Sequence, residues 1–223
     1  TSVYFKYAIG EIALVVIGIL LAIQINNWNE KRKHENKINS LYSIIKSDLL
    51  LDIENIDNVI NAMSPGDSLI QRVINKEMTS EDYKNCGRCR GLLNGFPDIS
   101  LKKRGMKLLE ENSTIFGSNP DSLSIKINNF YSYHIIEIEV ATEEISTDFK
   151  DNYYFFKNNK AWFIDYEYGV INDEFITYAL TSSDYRNRIA SFDVLYFKIY
   201  LRHLKEYKKD ALIIIDEIEK QII

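Results

Sequence analysis

The sequence predicts an all-α protein: an N-terminal transmembrane helix continuing into a stalk, followed by an antiparallel helical bundle. Three observations carry that expectation. Apolar residues recur at spacings of three and four over long stretches, the signature of amphipathic helices. Glycine and proline are missing from residues 19–64, 121–168 and 170–223, whereas all three prolines and six of the nine glycines lie in 65–120. Finally, residues 7–25 (YAIGEIALVVIGILLAIQI) are apolar apart from Glu11 and Gln24.

The leading run comes first in the chain and sets its placement. At ~1.5 Å per residue it covers about 28 Å, close to the ~30 Å hydrocarbon core of a bilayer. Its exit, Ala22-Ile23-Gln24-Ile25-Asn26-Asn27, lacks the small residues a signal peptidase needs, so the segment reads as a retained span. Tyr7 and Trp28 flank it at the depth of interfacial anchors. Glu11, Val15, Gly18 and Ala22 fall on one helical stripe, and Gly18-x-x-x-Ala22 lets two backbones approach closely. A carboxylate one turn inside the bilayer costs a few kcal/mol unless it is paired, hydrated or neutralised. The stripe is therefore the expected contact with a second copy or another membrane protein. From Ile19 to Met63 no breaker intervenes, and a continuous helix would rise about 67 Å at ~1.5 Å per residue. Asn26, Asn27 and Asn29 are poor helix formers and leave room for a kink near Trp28.

Three stripes define the bundle. The first is Ile38, Leu41, Ile45, Leu49, Ile53, Ile56, Ile60 and Met63. The second is Leu123, Ile127, Phe130, His134, Ile138, Ala141, Ile145 and Phe149, opened by the start signal Asn119-Pro120-Asp121. The third runs through Ile189, Phe192, Tyr196, Tyr200, Leu204, Tyr207, Ala211, Ile215, Ile218 and Ile222, with Ser183 or Asp184 as its cap. Each stripe needs the others to be buried. Between the first two, residues 64–120 are expected to hold shorter pieces: helices over 67–75 and 80–93, and another over 99–109 interrupted by Gly105. Residues 161–180 read as a loop followed by a short helix. The expected domains are an anchor over 1–28 and a helical domain over 29–223.

Composition narrows the function. A net charge of −5, with only Lys6 and Glu11 charged in the first 25 residues, argues against nucleic acid. Aromatic residues at 13% argue for a packed core rather than disorder. Cys86 and Cys89 have dithiol spacing, but no strand–helix alternation surrounds them and no second pair completes a zinc site. A local disulfide or inert thiols are expected, with a redox catalyst as the alternative. His134 lies near Glu137 and Glu139, and His203 near Glu206. The order is the reverse of the Glu-x-x-His of di-iron bundles, so no metal and no cofactor are expected. His34 sits in a charge run. No phosphate loop, nucleophile elbow or His-Glu-x-x-His motif is present.

Residues 6–12 (KYAIGEI), the apolar run and the exit QINNWNE (24–30) closely resemble the opening of a large uncharacterised family. Its members are single-pass membrane proteins of Bacteroidota-type bacteria with a domain of unknown function. A weaker echo lies at Leu101–Leu108, where the family often places a leucine, polar residues, a glycine and another leucine. A helix ending near paired tyrosines follows, here Phe130-Tyr131. The resemblance implies topology, not chemistry. Lys31, Arg32, Lys33 and Lys37 outweigh Lys6, which alone would hold the domain in the cytoplasm. Family members usually carry a basic leader before the span, which implies a periplasmic domain instead. The expected function is a non-enzymatic scaffold or accessory subunit in the bacterial inner membrane. Its expected partners are the lipid bilayer and other copies or membrane proteins. A ligand-binding, sensor-like ectodomain and a Cys-x-x-Cys thiol-redox protein are the alternatives.

Overall fold

The computed structural model describes residues 2–93, 95–112 and 122–222; the side chains of residues 2–9, 12, 13 and 90 lie outside the description. Eight α-helices follow one another, and no strand occurs among the described residues. They are α1 (Ser2–Ile74), α2 (Ser80–Asn85), α3 (Arg104–Glu111), α4 (Ser122–Asn159), α5 (Phe163–Glu167), α6 (Asp173–Thr181), α7 (Ser183–Phe192) and α8 (Leu201–Ile222). A 3-10 turn (Cys89–Leu93) follows α2, and a π-helical stretch (Asp193–Tyr200) joins α7 to α8.

The long helices form the expected bundle around the α7–α8 rod. Against α1 the rod runs antiparallel, with Lys46 paired to Glu219, Asp52 to Tyr207 and Gln71 to Asp193. Against α4 it is antiparallel too, from Lys126–Glu217 through His134–Asp210 to Ser191–Asp148. Beyond that, Arg188 meets Asp151 and Asn152, each at 2.7 Å, and its guanidinium lies 4.0 Å from the Phe155 ring centroid. α1 and α4 therefore run parallel to each other, and α3 is wedged against both. All three stripes are buried in their central positions.

α1 differs from expectation at both ends. It continues through Pro65 and Gly66 to Ile74, absorbing the separate helix expected over 67–75. Pro65 lacks the N–H for the carbonyl of Asn61, a loss of ~3 kcal/mol in a helix interior. One and two turns later Ile70 and Val73 are fully or nearly buried, each worth about 1.5–3 kcal/mol, so burial offsets the break. α1 runs unbroken past Trp28, because its asparagines cost only tenths of a kcal/mol each. Among the described residues no helix is long and apolar enough to cross a membrane. Only part of the expected span falls within that statement, since the side chains of Tyr7–Ile9, Ile12 and Ala13 lie outside the description.

Other boundaries shift for local reasons. The helix expected over 80–93 divides at Gly87 into α2 and the 3-10 turn, where Cys86 and Cys89 are joined by a disulfide. α2 opens on a capping box between Thr79 and Asp82, and Arg72 holds Asp82 at 2.9 Å. Together these contacts hold the Asp82 carboxyl down at about 2. The Asn119-Pro120-Asp121 start signal lies outside the described residues. Residues 161–180 form two short helices, α5 and α6, with Gly169 supplying a left-handed turn at φ 92° between them. The α7 cap is Ser182, one residue before the expected position; its side chain accepts the Tyr185 N–H.

The 99–109 helix begins only at Arg104 because residues 96–103 form a strap held from below. In the π-helical stretch, Tyr196 donates its hydroxyl to the Pro97 carbonyl at 2.8 Å, and Tyr200 accepts the Ile99 N–H at 3.1 Å. Phe96 packs edge-on to both rings. The strap then enters α3 at Gly105, where an added Cβ would lie 2.8 Å from Ile45 Cγ1 and 3.2 Å from the Ile45 Cα. Gly105→Ala should therefore destabilise the chain by about 1–3 kcal/mol by overpacking, read as a lower urea midpoint with an unchanged slope.

Candidate functional site

The stripe expected to make contacts in the bilayer lies free of the bundle. Glu11, Val15, Gly18 and Ala22 are all exposed, and nothing lies within 4 Å of a Cβ built on Gly18. Every large apolar side chain from Leu14 to Ile25 is at least 48% exposed. Trp28 is exposed too, with the Arg32 guanidinium 5.2 Å from its ring centroid. The other expected anchor, Tyr7, has its side chain outside the description. Lys31–Glu35 and Lys33–Glu30 pairs follow, so the apolar belt gives way within two turns to a charged helix surface.

Two of the histidines, His134 and His203, lie beside acids. His134 is buried among Phe130, Tyr133 and Tyr207, with Nε2 at 2.9 Å from Asp210 Oδ2. His203 lies 3.7 Å from Glu137 of α4 and 3.5 Å from Glu206. Among the described residues no group of three or more such side chains is arranged to hold a metal ion.

Sequence reasoning missed a connected polar site in the core. Asp48 and Asp52 occupy the core face of α1, one turn apart, and are 2% and 1% exposed. Asp48 accepts the Gly105 N–H at 2.9 Å and the Arg104 guanidinium at 2.7 Å, capping α3 from another helix. Asp52 accepts the Lys102 N–H at 3.0 Å and the Tyr207 hydroxyl at 2.7 Å. Tyr131 brings its hydroxyl into the same region, 3.3 Å from the position a Gly105 Cβ would take. Burial, then the two aspartate charges, pushes the Tyr131 hydroxyl well above its usual range. Burial and Asp52 do the same to Tyr207, so both tyrosines remain protonated. The signal was available: two aspartates at i and i+4, in phase with Leu41, Ile45, Ile56 and Val59.

The strap and α4 border a groove of about 490 Å³, lined by Asp98, Leu101, Lys103, Glu139, Thr147 and Lys150. Lys103 and Glu139 form an ion pair at its edge. A second, mostly apolar groove of about 270 Å³ lies beside the disulfide, between α1, the 3-10 turn and Phe192.

The two buried aspartates differ in what removing them should do. Asp48→Ala leaves the Gly105 N–H without an acceptor while Arg104, 61% exposed, returns to water; a loss of about 1–3 kcal/mol is expected in urea unfolding. Desolvation raises the Asp52 carboxyl above the ordinary carboxylate range, against the hydrogen bonds from Tyr207 and Lys102. The folded chain thus keeps this proton at a pH where the unfolded chain has lost it. That contribution is present below about pH 4 and fades as pH rises through the folded value. Asp52→Asn should accordingly gain stability relative to the wild type between pH 4 and pH 7, read as urea midpoints at both.

No curated protein and no solved structure matches the chain. A family of unknown function, DUF6090, matches residues 11–146. That match takes in the apolar belt, both buried aspartates, the disulfide and the glycine of α3, and ends within α4. The chain belongs to that family.

Proposed function

We propose that the chain is a single-pass, membrane-anchored helical scaffold or accessory subunit that acts through protein–protein contact rather than catalysis. The observation that carries this reading is the belt from Leu14 to Ile25, apolar and exposed around the whole circumference of α1. A helix meant for one protein partner is apolar on one face; an all-round belt suits lipid. The belt reaches spanning length together with the apolar residues from Tyr7 that precede it. The lipid bilayer is thus one partner. The Glu11, Val15, Gly18 and Ala22 stripe is the proposed seam with a second copy or another membrane protein. The disulfide fits an oxidising compartment, which favours a bacterial inner-membrane protein with its bundle in the periplasm. The polar groove under the strap favours a second reading, a ligand-binding ectodomain, because its roof is held in place before any ligand arrives.

Replacing Val16 and Ile17 together with Asp puts two charges at the middle of the span, about 2.5–3.5 kcal/mol each. The wild-type chain should sediment with membranes and resist an alkaline carbonate wash, while the double variant should move to the supernatant. A wild type found dissolved without detergent overturns the anchor. Gly18→Ile should lower the apparent size of the chain in mild detergent by disrupting the seam; an unchanged size overturns the seam alone.

A further inference from the structure

The disulfide has the layout of an exchange centre rather than of a buried staple. Cys89 is fully buried and packed in the core, whereas Cys86 sits at its edge and is only half-buried. Cys86 is therefore the more accessible of the two to an incoming thiol, and Cys89 is sheltered. The Cys89 N–H points at the Cys86 Sγ at 3.1 Å, where it would stabilise a thiolate released at that atom. Backbone hydrogen bonds hold the turn alongside the S–S bond. Cys89 N–H also bonds the Cys86 carbonyl at 3.2 Å, and Gly91 N–H bonds the Arg88 carbonyl at 2.9 Å. Upstream, the Thr79–Asp82 capping box and Arg72 fix α2. After reduction the two thiols would stay side by side, ready to close again. The 270 Å³ groove next to the turn carries Met63, Ile70, Leu92 and Phe192 with Arg88, a surface suited to an apolar stretch of polypeptide.

We propose that Cys86 and Cys89 form a thiol–disulfide exchange site for cysteine thiols of a polypeptide partner. The partner's thiolate attacks Cys86 Sγ, giving a mixed disulfide; the S–S electron pair leaves on Cys89 Sγ, which takes up a proton. A second partner thiol, having lost its proton, attacks its own neighbour's sulfur in the mixed disulfide. Cys86 leaves as a thiolate and is protonated in turn. The partner's two thiols are oxidised to a disulfide, and Cys86 and Cys89 are reduced to thiols. Each chain performs one such exchange, so the site is a stoichiometric device, independent of the contacts made through α1.

Two measurements on the full-length chain in detergent test this. Cys89→Ser leaves Cys86 as the free thiol, and Cys86→Ser leaves Cys89. With oxidised glutathione as the probe, mass spectrometry should show a glutathione adduct forming at least tenfold faster on the Cys89→Ser chain. Equal rates, or no adduct on either chain, overturn the proposal. The wild type covers the case in which a variant fails to fold. Equilibrated against glutathione buffers, its disulfide should open and close reversibly with helical circular dichroism unchanged. A disulfide that reduces only when the chain unfolds overturns the proposal.

Discussion

Two carboxylates buried on one helix need partners, and the arrangement of the lower bundle follows from supplying them. An unpaired buried charge would cost several kcal/mol, more than most single contacts in the molecule return. Asp48 and Asp52 are answered from three directions: by the N-terminus of α3, by the strap leading into it, and by Tyr207 of α8. Each answer fixes an element in place. α3 cannot slide along α1 without leaving Asp48 unanswered. The strap cannot lift without exposing Asp52, and α8 is registered against α1 by the same carboxylate. The close approach of Gly105 to Ile45 is the steric side of this arrangement.

The strap connects that polar site to the upper bundle. Its second set of holds comes from Tyr196 and Tyr200, whose rings are buried and whose hydroxyls meet the Pro97 carbonyl and the Ile99 N–H. Burial lifts the Tyr200 hydroxyl to about 12, so it keeps its proton at any physiological pH. Polar groups of buried tyrosines thus do for irregular chain what backbone ladders do elsewhere. This is one use of a composition holding 15 tyrosines.

Much of the architecture was legible in the sequence because it depends on apolar spacing, and the three stripes from Leu41, Leu123 and Ile189 onward are the buried faces observed. What escaped was decided by tertiary contact. Pro65 reads as a stop, yet burial of Ile70 and Val73 carries α1 past it. The helix expected from residue 99 is held open by hydrogen-bond partners that lie fifty to a hundred residues away in sequence, Asp52, Tyr196 and Tyr200. Asp48 and Asp52 were passed over because charge on a helix is ordinarily read as solvated face. Only their phase with Ile45 and Ile56 betrays them. Among the contact residues read from the sequence, Glu11, Val15, Gly18 and Ala22 do share an exposed stripe. Nothing in a single chain says what lies against it.

The π-helical stretch joining α7 to α8 has a bearing on how this rod tolerates change. Its N–H groups reach five residues back, as Leu201 does to Tyr196, so each widened turn holds about one residue more than an α turn. In an ordinary helix one residue corresponds to roughly 100° of rotation. The stretch therefore sets the phase between two halves of one rod. α7 packs against α1, α4 and α6, and α8 packs against α1 and α4. Loss of a single amino acid there would leave the composition almost untouched and yet turn one half of the rod away from its companions.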